Sequence, residues 1–230
     1  METRAIVLLE RSFYTSAVSA TRERIIAATH ELFRRHGFHA TSLKDVTVAA
    51  AAPTGSLYHF FPGGKTELAE AVLRETGAAY QQLFELIADE APDPASGVEA
   101  FFDGAADVLA ESDYVDVCPI GSIAREVAST NEPLREAAAA VFDAWARAAA
   151  SRFAAAGVAE PAARRLAVTV IAMLEGAFVL ARAERDADVV RQVGGHARSL
   201  IDNELAAGAA PAQRGPAKVS RRPRAARRSG

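Results

Sequence analysis

Pro53 is the residue that most constrains the segment TSLKDVTVAAAAPTGSLYHFFPGGKT, which spans residues 41–66. Proline is tolerated only in the first turn of a helix, and it disfavours the helical conformation at the preceding residue, here Ala52. The chain must therefore turn sharply after a first short helix, whose inward face has Leu43 and Val46, and begin a second helix at Pro53. The pattern predicts two short helices joined by a tight turn.

The second of these helices has small polar side chains on its outward face and Leu57 on its inward face. Such side chains fit between phosphates and reach base edges or a thymine methyl group in the major groove of DNA. Taken alone, the pattern fits an ordinary helical hairpin with a polar face equally well. The candidate DNA-binding residues are Thr41, which can also cap the first helix through its hydroxyl, Ser42, Lys44, Pro53, Thr54, Gly55, Ser56, Tyr58, His59 and Lys65.

The run from Arg22 to Leu73 resembles the DNA-binding domain of the TetR family of bacterial regulators. The similar segments are RERIIAATHELFRRHGFHATSLKDV for the first two helices, PTGSLYHFFP for the recognition helix and GGKTELAEAVL for a fourth helix. The resemblance implies a helix-turn-helix domain of three helices that binds DNA with sequence specificity.

Two positions depart from the family pattern. Ala51 occupies the turn position where the family usually has glycine, which costs about 1–2 kcal/mol if that residue is left-handed. Thr54 stands where a basic residue is common near the start of the recognition helix. This helix therefore has no Arg or Lys for bidentate contacts with guanine.

Three further segments resemble the LmrA/YxaF-type branch of this family, and they are CPIGSIAREVAS followed by NEPLR from residue 118, PGGK at 62–65, and LEGAFVLARAERD at 174–186. Members of that branch repress drug-efflux and related genes and are released from DNA by small hydrophobic molecules. The family also pairs its last two helices with those of a second subunit. The resemblance implies a homodimer, formed through the helices at 160–184 and 187–206, whose partners are double-stranded operator DNA and a small hydrophobic or aromatic ligand.

Helical periodicity and the absence of strand patterns predict an all-α fold. The first helix is expected to begin at Thr21 and to end at Gly37 in a left-handed cap. The helices predicted beyond the hairpin are 66–89, 95–112, 119–129, 132–156, 160–184 and 187–206. The domains predicted are a disordered arm at 1–20, the helix-turn-helix DNA-binding domain at 21–65, a helical ligand-binding and dimerisation bundle at 66–207, and a disordered basic tail at 208–230.

The segment Pro62-Gly63-Gly64 interrupts the chain just before the helix that begins near Thr66. Free backbone N–H groups, the positive end of the helix dipole and Lys65 would then point the same way and could hold a DNA phosphate. A lysine in the first turn opposes the helix dipole, which favours this phosphate clamp over a simple linker.

The C-terminal bundle has large aromatic residues in helices that otherwise consist mostly of alanine. This mixture can leave a gap between helices, so we expect a pocket for an apolar or aromatic molecule, although most of these side chains could simply fill the core. The candidate ligand-binding residues are Phe101, Phe102, Leu109, Cys118, Ile123, Val127, Phe142, Trp145, Met173, Glu175 and Phe178.

Two of these candidates are polar. An unpaired carboxylate at Glu175, inside the apolar run VTVIAMLEGAFVLA, would be costly, so it must meet a ligand, a neighbouring helix or the second subunit. Cys118 precedes Pro119 at a helix start and could be a redox sensor with a lowered pKa. A buried structural thiol is the favoured interpretation, because the chain has no second cysteine to resolve a disulfide.

The charge distribution leaves one alternative function open. The net charge of the chain is -3, but residues from Arg214 onward contribute seven cations and no acid. Residues 1–213 therefore have a net charge of -10. An unspecific DNA-binding protein that works through this arginine-rich tail is therefore the alternative. The sequence indicates no catalytic constellation, metal site or cofactor, and its apolar runs are shorter than the roughly 18 residues of a membrane span, so we expect a cytoplasmic protein that is not an enzyme.

Overall fold

The computed structural model describes residues 21–115 and 118–209, in which α-helix is the only regular secondary structure. The predicted all-α fold is confirmed, and the later helices begin and end close to the predicted residues. The predicted arm at 1–20 and residues 210–230 of the predicted tail lie outside the described residues. The helices are α1 (Thr21–Ala40), α2 (Leu43–Ala49), α3 (Thr54–Phe60), α4 (Gly64–Glu90), α5 (Pro94–Glu111), α6 (Pro119–Val127), α7 (Glu132–Ala155), α8 (Glu160–Glu184) and α9 (Asp188–Ala209).

The start of α2 is capped by Ser42, and the expectation that Thr41 caps it was wrong. The Ser42 hydroxyl accepts a hydrogen bond from the Asp45 N–H at 3.1 Å, and the Asp45 carboxylate accepts one from the Ser42 N–H at 3.1 Å. This reciprocal pair is a capping box. Thr41 is only 2% exposed, and its hydroxyl instead donates to the Gly37 carbonyl oxygen at 2.9 Å.

The turn between α2 and α3 has a left-handed residue at the position where the family usually has glycine. Ala51 has a φ of 47°, so its methyl group lies in a backbone conformation that L-residues avoid. Pro53 then has an extended ψ of 144°, which makes it the residue before α3 and not, as predicted, the first residue of that helix. The sharp turn that Pro53 predicts is present.

Gly37 interrupts α1 near its end, but not as the predicted left-handed cap. Its φ of 80° and ψ of 176° lie outside the left-handed helical region, and helical backbone resumes beyond it up to Ala40. The positive φ explains why glycine occupies this position. The interruption redirects the last residues of α1 toward α6, which packs against α1.

Two buried apolar clusters form the core. The first contains the inner faces of α1 to α3 and the start of α4, and it continues without a break into α6 and the first half of α7. The second lies among α5, α7, α8 and α9, with Phe102 and Phe153 among its largest fully buried side chains. The first cluster therefore crosses the predicted domain boundary between residues 65 and 66.

Helix α8 has an apolar face that points away from both clusters. Val168, Val179 and Leu180 on this helix are 50%, 51% and 52% exposed. Within the described ranges, α8 is the one helix that is long and apolar enough to cross a membrane, judged by length and composition alone. In its most apolar stretch of 18 residues, 28% of the residues are buried inside the protein. Its apolar composition thus combines a core-facing stripe with a solvent-facing one.

His30 on α1 makes the stability of the N-terminal core dependent on pH. Its side chain is buried, and burial, followed by the positive charge of Arg34, lowers its pKa from 6.5 to about 4. Between these values the unfolded chain binds a proton at His30 that the folded chain does not. We expect this difference to lower the free energy of unfolding by up to about 3 kcal/mol as the pH falls from about 6.5 to about 4.

Urea denaturation at about pH 7 and about pH 4.5 measures this dependence, with His30→Gln as the test variant, because an amide does not titrate. His36→Gln is the matched control, since His36 is exposed on the same helix. The His30→Gln variant should lose less stability between the two pH values than the wild-type protein and the control. Equal losses in all three proteins would contradict the assignment.

Candidate functional site

The outward face of α3 carries most of the residues predicted to read DNA. Pro53, Thr54, Gly55, Tyr58 and His59 are exposed, and Ser56 is half-buried. Tyr58 is 50% exposed, and no atom lies within 4 Å of a Cβ placed on Gly55, so another surface can approach this face closely. The helix is held from below by Leu57 and Phe61, which are 0% and 2% exposed.

Helix α2 adds Ser42 and Lys44 to this surface, and both are exposed. The Ser42 hydroxyl also donates to the Asp45 carboxylate at 2.6 Å, and this hydrogen bond, with that from the Ser42 N–H, lowers the pKa of Asp45. Asp45 therefore places a negative charge beside the face that is predicted to read DNA, with Lys44 next to it as a cation. Thr41 does not belong to the surface, because it is buried.

The predicted phosphate clamp at the start of α4 is not formed in this structure. The Gly63 N–H donates to the Glu67 carboxylate at 2.6 Å, and the Gly64 N–H donates to the Phe61 carbonyl oxygen at 2.9 Å. The Lys65 ammonium lies 4.4 Å from the centre of the Phe38 ring, and burial lowers its pKa. These groups are used within the protein, and Glu67 supplies the anion at the helix start.

A carboxylate on α6 joins the C-terminal half of the chain to α1. Glu126 accepts hydrogen bonds from the Phe38 N–H at 3.1 Å and the His39 N–H at 2.8 Å. A Cβ at Gly37 would lie 2.2 Å from the Glu126 carboxylate, so this contact needs glycine there. Ile123 and Val127, on the same helix, are fully buried in the cluster shared with α1. They were predicted to bind ligand, and in this structure they pack α6 against α1 instead.

A cavity of about 140 Å³ lies among α4, α5, α7, α8 and the start of α6. Six of the predicted ligand-binding residues line it, namely Phe101, Phe102, Cys118, Trp145, Glu175 and Phe178. The remaining lining residues are Tyr80, Gln81, Leu83, Phe84, Ile87, Val98, Gly104, Ala105, Val108, Ala149, Val170, Ile171 and Leu174. The lining is almost entirely aliphatic and aromatic.

Three more predicted ligand-binding residues lie outside the cavity lining. Leu109 is buried in the second core cluster, and Met173 packs against that cluster from α8. Phe142 lies edge-on against Trp145, with 5.6 Å between the ring centres, and supports it from outside the cavity. The indole N–H of Trp145 donates to the Gly77 carbonyl oxygen at 2.8 Å, which fixes the orientation of its ring.

The residues that α4 contributes to the cavity were missed by sequence reasoning. Tyr80, Phe84 and Ile87 recur at the spacing of one helical face, and this signal was present in the sequence. The α4 sequence predicts a helix that joins the two domains, but it does not reveal which face borders an empty volume. That depends on how α5, α7 and α8 pack around it.

Glu175 and Cys118 form the polar end of the cavity. The Cys118 thiol hydrogen-bonds to the Glu175 carboxylate, while its sulfur accepts the Gly121 N–H at 3.5 Å and caps α6. Burial, followed by the neighbouring Glu175, raises the pKa of Cys118. The thiol is buried, as the favoured interpretation predicted, and its raised pKa contradicts the alternative of a lowered one. Burial also raises the pKa of Glu175.

Within the part of the chain that the structure describes, no group of three or more His, Cys, Asp or Glu side chains is placed to hold a metal ion.

Two protein families match this sequence. Residues 25–72 match the family of bacterial regulatory proteins, tetR family, and residues 94–196 match the C-terminal domain of LmrA/YxaF-like transcriptional regulators. The first range contains the DNA-reading surface, and the second contains most of the cavity lining.

Individual relatives agree with these matches. The HTH-type transcriptional regulator YxaF of Bacillus subtilis is 34% identical over 166 residues, which cover 72% of this chain and 87% of that protein. The HTH-type transcriptional regulator LmrA of Bacillus subtilis is 32% identical over 160 residues, which cover 70% of this chain and 85% of that protein. Two crystal structures share the fold. A TetR regulator from Legionella pneumophila has a TM-score of 0.70 and 24% identity, and the match covers 81% of this chain and 98% of that one. A TetR regulator from Chloroflexus aurantiacus has a TM-score of 0.66 and 30% identity, and the match covers 79% of this chain and 94% of that one.

The strained turn in the DNA-reading surface yields a stability prediction. Replacing Ala51 with glycine removes the methyl group from a left-handed backbone, and we expect the free energy of unfolding to rise by about 1 kcal/mol. Ala49→Gly is the control, because Ala49 is exposed but helical, and there glycine should lower stability by about 1 kcal/mol. Chemical denaturation measures the free energy of unfolding of both variants. A loss of stability in Ala51→Gly would contradict the proposed backbone strain at Ala51.

Proposed function

The chain belongs to the TetR family of bacterial transcriptional regulators, and we propose that it is a repressor released from its operator when a small apolar molecule binds. The observation that carries this proposal is the apolar cavity beside the long helix α4, which runs from the DNA-binding domain to the cavity. An apolar site of this kind suits a small organic molecule.

The surface of α3 supports DNA reading in the major groove. Thr54, Tyr58 and His59 are exposed on one short helix, and their hydroxyl and ring groups can donate and accept hydrogen bonds at base edges. Phosphate contacts would come from flanking groups such as Lys44. Two copies of α3 related by a two-fold axis would read a palindrome with half-sites about 34–36 Å apart, or a multiple of that distance.

The exposed face of α8 supports a homodimer. Val168, Val179 and Leu180 are half exposed, and in the single chain no atom lies within 4 Å of a Cβ placed on Gly176 between them. A glycine on an exposed apolar face lets a second helix approach closely. Burying this face, together with α9, against a second copy would remove a long apolar surface from water.

Two connections could carry a change in the cavity to α3. The first is α4, in which Tyr80 and Phe84 line the cavity and the first turns belong to the N-terminal core. The second is α6, whose first turn faces the cavity at Cys118 and whose last turn holds α1 through Glu126. A ligand that favours one arrangement of these helices by a few kcal/mol would change the distance between the two α3 helices and release the operator.

Sequence-specific binding to an operator is tested by fluorescence anisotropy, with inverted-repeat DNA from the region upstream of the gene. We expect Tyr58→Ala to weaken operator binding by about tenfold or more and to leave binding to unrelated DNA unchanged, because a lost base contact costs about 1–3 kcal/mol. Ser151→Ala, an exposed change on α7, is the control. Equal effects of Tyr58→Ala on both DNAs would contradict sequence reading by α3.

Ending the chain at Gly208 separates the proposal from the alternative function in the same assay. If α3 reads the operator, the shortened protein should bind more weakly and with a smaller salt dependence, but it should still prefer the operator. If the seven cations from Arg214 onward supply the binding, the shortened protein should lose its affinity for every DNA.

The dimer is tested by placing a charge on the exposed face of α8. Val179→Asp should convert the protein to a monomer in sedimentation velocity at micromolar concentration, because a carboxylate there would be buried without a partner. Operator affinity should then fall by at least tenfold, since each half-site is bound independently. Ser151→Asp adds the same charge elsewhere and should change neither property. A dimeric Val179→Asp would contradict the proposed interface.

A further inference from the structure

The cavity contains one acidic side chain and no basic one. Among the described residues that line it, Glu175 is the only Asp, Glu, Lys or Arg. Arg125 on α6 acts on the Glu175 carboxyl through its charge, but it does not line the cavity, and its guanidinium donates to the Ser122 hydroxyl at 3.4 Å. A ligand that enters the cavity therefore meets a carboxyl group with no basic neighbour in the lining.

The Glu175 carboxyl is held against the first turn of α6 by a close contact. A Cβ placed on Gly121 would lie 2.0 Å from Glu175 Oε2, so only glycine leaves room for the carboxyl at this position. Its hydrogen-bond partner there is the Cys118 thiol, which is a weak donor. A buried carboxyl with such a partner carries an unmet preference for a stronger donor or a positive charge.

Aromatic rings make up a large part of the rest of the lining. Aromatic rings surround the cavity from several helices, including a T-shaped pair of Phe84 and Phe101 at 5.7 Å and a tilted pair of Tyr80 and Trp145 at 6.3 Å. The faces of such rings attract cations, most strongly in tryptophan. One face of Phe84 already carries the Arg152 guanidinium, 6.0 Å from the ring centre. An anionic ligand would meet the carboxyl of Glu175, which no basic side chain of the lining offsets.

We propose that the cavity selects lipophilic cations, molecules with an apolar or aromatic body and one ammonium group, and that Glu175 binds the ammonium. This inference rests on the proposed function, since it specifies the ligand class of the same site. Glu175 is then a specificity-determining residue. Binding of the cation draws the carboxyl toward the cavity and away from Cys118 and Gly121, which begin the helix that holds α1 through Glu126.

The test uses two probes that differ only in charge. They are (3-phenylpropyl)trimethylammonium and its neutral isostere (4,4-dimethylpentyl)benzene, in which a carbon atom replaces the nitrogen. Trp145 is the single tryptophan and lines the cavity, so its fluorescence in the full-length protein reports occupancy directly. We expect the wild-type protein to bind the cation at least tenfold more tightly than the isostere.

Glu175→Gln keeps the size of the side chain and removes its charge. This variant should lose the preference for the cation, by at least tenfold, and should bind the neutral isostere within about threefold of the wild-type affinity. Glu111→Gln is the matched control, because Glu111 is exposed at the end of α5 and does not line the cavity. The control should retain the preference.

Each other outcome overturns the inference. Equal binding of the two probes to the wild-type protein, or a cation preference that survives Glu175→Gln, would mean that Glu175 does not select charge, while a ligand site in the cavity would stand. Binding of neither probe would remove the cation inference and ligand release together. Operator binding by the ligand-free protein, measured in parallel, shows whether DNA recognition still holds in that case.

Discussion

Two hydrogen bonds from the end of α1 to Glu126, together with the apolar cluster around Ile123 and Val127, hold the two halves in their arrangement. One carboxylate accepts the N–H groups of Phe38 and His39, at 3.1 and 2.8 Å, where Gly37 has opened the helix. Hydrogen bonds to a charged group are each worth about 1.5–3 kcal/mol. Because α6 begins at the cavity and ends at these hydrogen bonds, a movement of α6 must change either the bonds or the position of α1.

Much of the fold could be predicted from local sequence, because helix periods and helix ends are local properties. Pro53 fixed the position of the turn, and proline and glycine residues marked the ends of the later helices. The capping residue was misplaced, since Ser42 and Thr41 are both acceptable caps and only the packing of α1 decides between them. The unusual Ala51 was recognised from the sequence, and its left-handed backbone is present.

The candidate site was less predictable, because a cavity is a property of several helices at once. Large apolar residues on α5 to α8 were predicted to line the cavity, and those on α5, α7 and α8 included true lining residues. The same criterion also selected Phe142 and Ile123, which pack on other neighbours. A pattern of apolar residues gives the buried face of a helix and not the identity of what lies opposite. The position of Lys65 over the Phe38 ring was not predicted either, because it depends on tertiary structure.

The core that crosses residues 65 and 66 has a consequence for how such regulators can be recombined. Val127, Leu134 and Val141 from the C-terminal half complete the apolar cluster that begins with α1. Exchanging DNA-reading modules between homologues at that junction would leave one protein's α1 seated on the other's α6, with mismatched volumes. A chimera designed to preserve this packing would have to take α6 and the start of α7 from the same protein as the DNA-reading module.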